Sequence, residues 1–141
     1  MTNPVPWSDA YCLGIPEVDG QHRRLFQIFD ELNASVAQGT GIESMATFLL
    51  RLKGYMACHF RYEEMLMKNN DYPDLEGHAA LHHQIRGDFN KLRRQFDQSE
   101  SSGAQMRVVE EMVRFLHTWL MDHIHRADRA FGLYLHEKSV L

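Results

Sequence analysis

Several features typical of nucleic-acid-binding, membrane and secreted proteins are missing from this sequence. The net charge is −4 and the isoelectric point is about 6.1, so no basic excess indicates nucleic-acid binding. No apolar run approaches the roughly 18 residues that a membrane-spanning helix needs. The opening residues, MTNPVPWSDA, lack the charged and apolar regions of a signal peptide, and we therefore expect a cytoplasmic protein.

Cysteines and strand patterns are also scarce. The two cysteines, Cys12 and Cys58, offer no disulfide framework and are expected to be reduced thiols or small buried side chains. No useful alternation of polar and apolar residues indicates a strand, and there is no repeat. The 141 residues fit one domain that is large enough to bury its own core.

The sequence does contain helical periodicity. Apolar residues recur at spacings of three and four in four segments, which are separated by QGTG, NNDYPD and SESSG. Pro16 suits a turn or the first helical position, and Asp19 is a candidate N-cap. The predicted helices run from about residue 19 to the QGTG break, and over about 42–68, 75–97 and 104–135. Short connections make neighbouring helices antiparallel, which predicts an all-α, up-down-up-down four-helix bundle with residues 1–18 as an N-terminal arm.

Histidine is abundant, with nine in the chain, and each predicted helix carries at least one. At about 1.5 Å per residue, several of them lie at one level, roughly 25–31 Å from the end that holds the first and third connections. Two carboxylates lie near that level, at roughly 33 and 36 Å. The set is His22, His59, Glu63, His78, His82, His123 and Asp128. For any single histidine the alternative is an ordinary surface position, but independent surface residues have no reason to share a level.

Spacing indicates which of these side chains face inward. Two pairs are four residues apart and each shares a helix face, His59 with Glu63 and His78 with His82. Each pair could therefore chelate one centre or two adjacent centres. On the fourth helix His123 continues the apolar stripe, whereas surface or boundary positions are expected for His83, His117 and His125.

Asp128 does not fit a regular helix. It lies about 140° around the helix from His123, and one extra residue in the hydrogen-bond ladder would reduce this angle to about 40°. We therefore predict a π-bulge between His123 and Asp128. The alternative is a surface carboxylate on a regular helix.

Five histidines and two carboxylates are more ligands than one metal ion takes. Buried without partners, each group would cost about 1–3 kcal/mol, and a lone carboxylate far more. Two divalent ions bridged by Glu63 and Asp128 would remove that cost, and imidazole with carboxylate suits iron, among other metals. The set holds more nitrogen and less anionic oxygen than ferritin-like sites, which favours binding a ligand over driving an oxidation.

Four motifs in this order resemble those of the hemerythrin family, specifically its single-domain bacterial members. They are DGQH (19–22), HFRYEE (59–64), HAALH (78–82) and HIHRAD (123–128), and the opening W…LGIPEVDGQH is also similar. The resemblance covers nearly the whole chain. It implies one hemerythrin-like domain over residues 1–141, with the bundle at 19–135 and a tail at 136–141.

The resemblance also implies two non-haem iron ions, joined by a bridging hydroxide or oxo group, that bind O2 reversibly. It assigns one iron to His78, His82 and His123, the other, with an open position, to His22 and His59, and both to Glu63 and Asp128. It further implies an apolar O2 pocket formed by Leu25, Phe60, Trp119, Leu120 and Ile124. Each pocket residue taken alone is also compatible with plain core packing.

We therefore expect an O2-binding protein rather than an enzyme, used to store, deliver or sense oxygen. Its ligand would be O2, and its candidate protein partners are an O2-consuming enzyme or a reductase. Two other functions stay open. One is a di-iron enzyme acting as an oxidase, a peroxidase or a nitric-oxide-processing site, and the other is an iron-handling protein without O2 chemistry.

Overall fold

Four long helical rods make up the computed structural model, which describes residues 13–138. The helices are α1 (Pro16–Ala37), α2 (Gly41–Asn69), α3 (Leu75–Gln98), α4 (Ser102–Thr118), a π-helical segment (Trp119–Asp128, the π segment) and α5 (Arg129–Glu137). The last three follow one another without a break and form the fourth rod. Each rod packs against the next, α1 also packs against α4, and residues 13–138 contain no strand. The predicted all-α four-helix bundle is confirmed.

The first helix begins three residues earlier than predicted. Pro16 occupies its first turn, as expected, but the residue at the cap is Ile15 and no side chain caps there. The Asp19 carboxylate lies inside the first turn and accepts hydrogen bonds from the backbone N–H groups of Leu13 (2.8 Å) and Gly14 (3.2 Å). The capping prediction is therefore wrong, because Asp19 holds the preceding chain rather than the helix end.

The other helix ends lie within about two residues of the predictions. Gly39 has φ +77° in the QGTG break, a left-handed conformation that glycine adopts without steric cost. At the start of α4 the Ser101 hydroxyl accepts a hydrogen bond from the Ala104 N–H at 3.1 Å. Of the predicted arm, residues 1–12 lie outside the described range, and of the predicted tail, residues 139–141 do.

The apolar side chains form two separate clusters. The larger one, here the main core, includes Leu25, Phe29, Leu32, Met45, Leu52, Phe60, Phe89, Val109, Met112, Leu116, Trp119, Leu120 and Ile124. The smaller one, here the end core, consists of Leu13, Ile15, Val18, Met67, Phe131 and Leu135. The last residues of the predicted arm thus pack into the end of the bundle.

Polar side chains occupy the level between these two cores. On α1, His22 lies between Val18 of the end core and Leu25 of the main core. On α2, Glu63 likewise lies between Phe60 and Met67, and the other rods repeat the order. Among the described helices, none is both long and apolar enough to cross a membrane.

Candidate metal centre

All seven polar residues that were predicted to share a level are buried and lie together. Their ligand atoms form two overlapping groups, each with its atoms within 4.8 Å of one another. The five-donor group is Glu63, His78, His82, His123 and Asp128, and the four-donor group is His22, His59, Glu63 and Asp128. The two carboxylates belong to both groups.

Glu63 divides its two oxygens between the groups. Its Oε1 lies 2.6 Å from His78 Nε2 and 3.2 Å from His82 Nε2. Its Oε2 lies 3.4 Å from His59 Nε2 and 3.8 Å from His22 Nε2. A carboxylate in this position can bridge two centres.

Asp128 repeats this division from the opposite rod. Its Oδ1 lies 2.9 Å from His78 Nε2 and 3.2 Å from His123 Nε2. Its Oδ2 lies 2.9 Å from His22 Nε2. The site therefore has two halves, and each carboxylate turns one oxygen toward each half.

The π segment explains why Asp128 points inward. An i→i+5 ladder brings residues five apart onto nearly the same side, which a regular α-helix does not do. His123 and Asp128 are such a pair, and both are buried. The predicted irregularity is confirmed, although it is longer than one bulge because the π segment already begins at Trp119.

Many polar atoms of this cluster make no well-aligned hydrogen bond among the described residues, although several lie within ion-pair distance of one another. They are both ring nitrogens of His22, Nε2 of His59, Nδ1 of His123, Oε2 of Glu63 and both oxygens of Asp128. Unsatisfied buried groups typically cost about 1–3 kcal/mol each. A cation bound by the inward-facing atoms, namely the imidazole Nε2 atoms and the carboxylate oxygens, would remove their share of this cost, so the donor set fits metal ions.

Charges within the cluster move the pKa values of its histidines in opposite directions. Burial lowers the pKa of His22 and His78, but the adjacent carboxylates outweigh burial and raise both to about 9. By the same balance, the pKa of His123 rises to about 10. Burial dominates at His59, where it lowers the pKa to about 4. At neutral pH the metal-free cluster therefore contains both imidazolium and neutral imidazole.

The two carboxylates are ionised in this environment. Burial raises their pKa, but the surrounding histidines outweigh it and lower the pKa of Glu63 and of Asp128 well below the usual range. The metal-free cluster thus balances two buried negative charges with protons on its histidines. A metal ion could take over that role from the protons.

Two histidines are held from outside the cluster by residues that the sequence analysis did not single out. His59 Nδ1 lies 2.6 Å from Gln21 Oε1, and His82 Nδ1 lies 2.8 Å from Glu64 Oε2. Both contacts leave Nε2 pointing into the site. Gln21 and Glu64 are sequence neighbours of predicted ligands in the DGQH and HFRYEE motifs, but which side chain reaches across to another helix is not readable from spacing.

Three aromatic rings, here the aromatic wall, lie beside the cluster. Phe60 stacks on His82 of the five-donor half, with 4.0 Å between ring centroids. Tyr55 stacks on His59 at 5.2 Å between ring centroids, Phe60 lies 5.7 Å from His59, and Trp119 lies 5.4 Å from Phe60. Tyr55 was missed by the sequence analysis, although it precedes His59 by one helical turn. Burial and the charges of Glu63 and Asp128 raise the pKa of Tyr55, so its hydroxyl keeps its proton.

The remaining predicted pocket residues, Leu25, Leu120 and Ile124, are buried in the main core beside the cluster. A surface groove of about 230 Å³ between α3 and the fourth rod reaches Trp119 and His123 from outside. Of the predicted pocket residues in the described structure, Trp119 lines this groove, whereas Leu25, Phe60, Leu120 and Ile124 do not.

Of the other histidines, His83 and His125 are exposed and His117 is half-buried, as predicted. His117 lies in the main-core region, 6.2 Å from the ring of Phe29. Cys58 is exposed, and Cys12 lies outside the described residues. His83, His117, His125 and Cys58 belong to neither donor group.

Comparison with known proteins agrees with the geometry. A family model described as the hemerythrin HHE cation binding domain matches residues 13–133. A bacteriohemerythrin from Methylococcus capsulatus is 30% identical over 129 residues, or 91% of this chain and 94% of that protein. One from Clostridium acetobutylicum is 30% identical over 128 residues, or 89% and 96%. A hemerythrin-like protein from Naegleria gruberi is 25% identical over 131 residues, or 93% of each. The resemblance of the four motifs is confirmed, and the chain belongs to the hemerythrin family.

Proposed function

We propose that this protein holds two iron ions and uses them to bind O2 reversibly, for storage, transport or sensing, without acting as an enzyme. The observation that carries the proposal is the division of the oxygens of Glu63 and Asp128 between two histidine groups. Such a division suits two adjacent cations better than one. The relatives named bacteriohemerythrin support the same choice.

The proposed ligands follow from the two donor groups. His78, His82 and His123 would hold one iron, His22 and His59 would hold the other, and Glu63 and Asp128 would bridge them. Iron is proposed because imidazole with carboxylate is a donor set that suits it. When bound, the two irons, with a hydroxide or oxo bridge, would supply the electrons and the open position that reversible O2 binding needs.

The protein's own contribution is to position the donors and limit access of water. His59 and His82 are oriented by Gln21 and Glu64 through hydrogen bonds at their outer nitrogens. The pocket would be formed by the buried side chains Leu25, Phe60, Trp119, Leu120 and Ile124. An apolar shell controls solvent access and the local dielectric, which would disfavour irreversible oxidation of the centre.

The test is repeated oxygenation of the iron-loaded protein. Protein expressed with ample iron should contain two irons per chain. After anaerobic reduction, O2 should produce a charge-transfer absorption band that disappears when the gas is removed and returns over several cycles. The same protein loaded with redox-inert Zn²⁺ is the control and should show no band.

Other outcomes of this experiment would replace the proposal. Steady O2 consumption with a reductant would indicate a di-iron enzyme. Iron that exchanges freely and gives no stable oxygenated spectrum would indicate iron handling. Substantially fewer than two irons per chain would contradict the two-metal site itself.

A further inference from the structure

We propose that the five-donor half binds its metal ion first and that Glu64 strengthens this binding through His82. Gln21, the counterpart of Glu64, supports the four-donor half more weakly through His59. This inference rests on the proposed two-metal function and adds to it an order of metal binding and two positioning residues. It depends on contacts outside the ligand set.

The outer hydrogen bonds set the tautomer of both rings. His82 Nδ1 lies 2.8 Å from a carboxylate oxygen of Glu64, and His59 Nδ1 lies 2.6 Å from the amide oxygen of Gln21. Because a carboxylate oxygen and an amide oxygen both accept hydrogen bonds, each ring donates from Nδ1 and keeps the Nε2 lone pair for a metal ion. Geometry therefore prepares both histidines as ligands.

The two acceptors differ in charge. A carboxylate that accepts the outer N–H makes the imidazole a more basic ligand, and a hydrogen bond to an ionised group is roughly twice as strong as a neutral one. Gln21 orients its ring but contributes no negative charge. Glu64 is partly screened, because 29% of its side chain is exposed.

The number of donors differs in the same direction. The half that contains His82 offers three imidazoles and the half that contains His59 offers two, while the carboxylates are shared. Each half also has one ring, His123 or His22, whose Nδ1 has no partner within the described part of the chain. That feature does not separate the halves, so donor number and outer charge decide.

The measurement is a titration of the metal-free protein with Co²⁺, followed by calorimetry and by the visible absorption of the bound ion. The unmodified protein should bind two equivalents in two resolvable phases. Glu64→Gln keeps a hydrogen-bond acceptor and removes only the charge. It should lower the Co²⁺ affinity of the first phase by about 10- to 100-fold and change the affinity of the second phase much less.

Gln21→Glu is the opposite change on the other half. It should raise the Co²⁺ affinity of the second phase and so bring the affinities of the two phases closer together. A merely structural role for these residues would not produce effects of opposite sign on different phases. Glu43→Gln is the charge-matched control, since Glu43 lies on the same helix as Glu64 and is exposed about 30 Å away. It should leave both phases unchanged.

The outcomes separate this inference from the proposed function. If two Co²⁺ ions bind but neither Glu64→Gln nor Gln21→Glu alters its phase, the inference is wrong and the two-metal site stands. A Glu64→Gln protein that failed to fold, shown by circular dichroism, would leave Gln21→Glu to decide. Fewer than two ions bound by the unmodified protein would contradict the proposed function.

Discussion

The main core and the polar level beside it are equally buried but differ in what they need. Leu52 and Met112 in the main core are fully buried, and apolar contacts satisfy them completely. Glu63 and Asp128 are also fully buried, yet Glu63 Oε2 and both Asp128 oxygens make no well-aligned hydrogen bond among residues 13–138 and have only histidine nitrogens within ion-pair distance. The difference shows that burial alone does not identify a structural residue. A buried region with so many poorly satisfied polar atoms fits one that holds a ligand.

The same helices contribute to both regions, so the cores can hold the polar level in place. The main core lies on one side of the cluster and the end core on the other. The apolar contacts on both sides can offset the cost of assembling charged groups before a metal binds. Changes in the two regions should therefore have separable effects on stability and on metal content.

The largest effect is expected from His82→Ala, which breaks the polar level. Removing one partner of a buried charged cluster typically costs about 3–5 kcal/mol, and here a metal ligand is lost as well. We expect loss of one iron or of both, with a lower free energy of unfolding. Iron analysis and chemical denaturation measure the two effects, and unchanged values for both would contradict the proposed role of His82.

The next effect is expected from Leu52→Ala, which breaks the main core instead. Truncating a fully buried leucine costs about 2–5 kcal/mol of unfolding free energy. The variant should nevertheless keep two irons per chain at a temperature where it is folded, because Leu52 belongs to neither donor group. A loss of iron equal to that of His82→Ala would show that the two regions are not separable.

A smaller effect should be the release of protons when a metal ion binds to the metal-free protein. The pKa values of His22 and His78, about 9, and of His123, about 10, mean that these rings carry protons at pH 7. A metal needs the neutral ring, so loading with Zn²⁺ should release about three protons, one from each of these rings, and affinity should rise as pH approaches 9–10. Release can be followed with an indicator dye in weak buffer. Loading without proton release would contradict the charge balance described for the cluster.

The smallest effect is expected from His83→Ala, the matched control for His82→Ala. His83 is exposed, and it lies next to His82 in sequence but faces away from the cluster. Iron content should be unchanged, and the free energy of unfolding should change by no more than about 0.5 kcal/mol. A clear loss of iron would mean that the assignment of facing on α3 is wrong.

Much of the fold was predictable because helical periodicity is a local property. The four apolar stripes and the breaks between them place the helix ends within about three residues of those observed. The misfit between His123 and Asp128 even predicts the π-helical irregularity, since five residues on a regular helix do not share a face. The start of α1 was misplaced because Asp19, a residue type that commonly caps, accepts hydrogen bonds from the preceding chain instead.

The sequence by itself determined which donors share a level, because residue number along a helix converts directly into height. Only the tertiary structure decided which oxygen of Glu63 or Asp128 faces which half, and which of the neighbouring residues support the ligands. Those features depend on the rotation and stagger of one helix against another. They are distances between atoms remote in sequence, and no periodicity within a single helix encodes them.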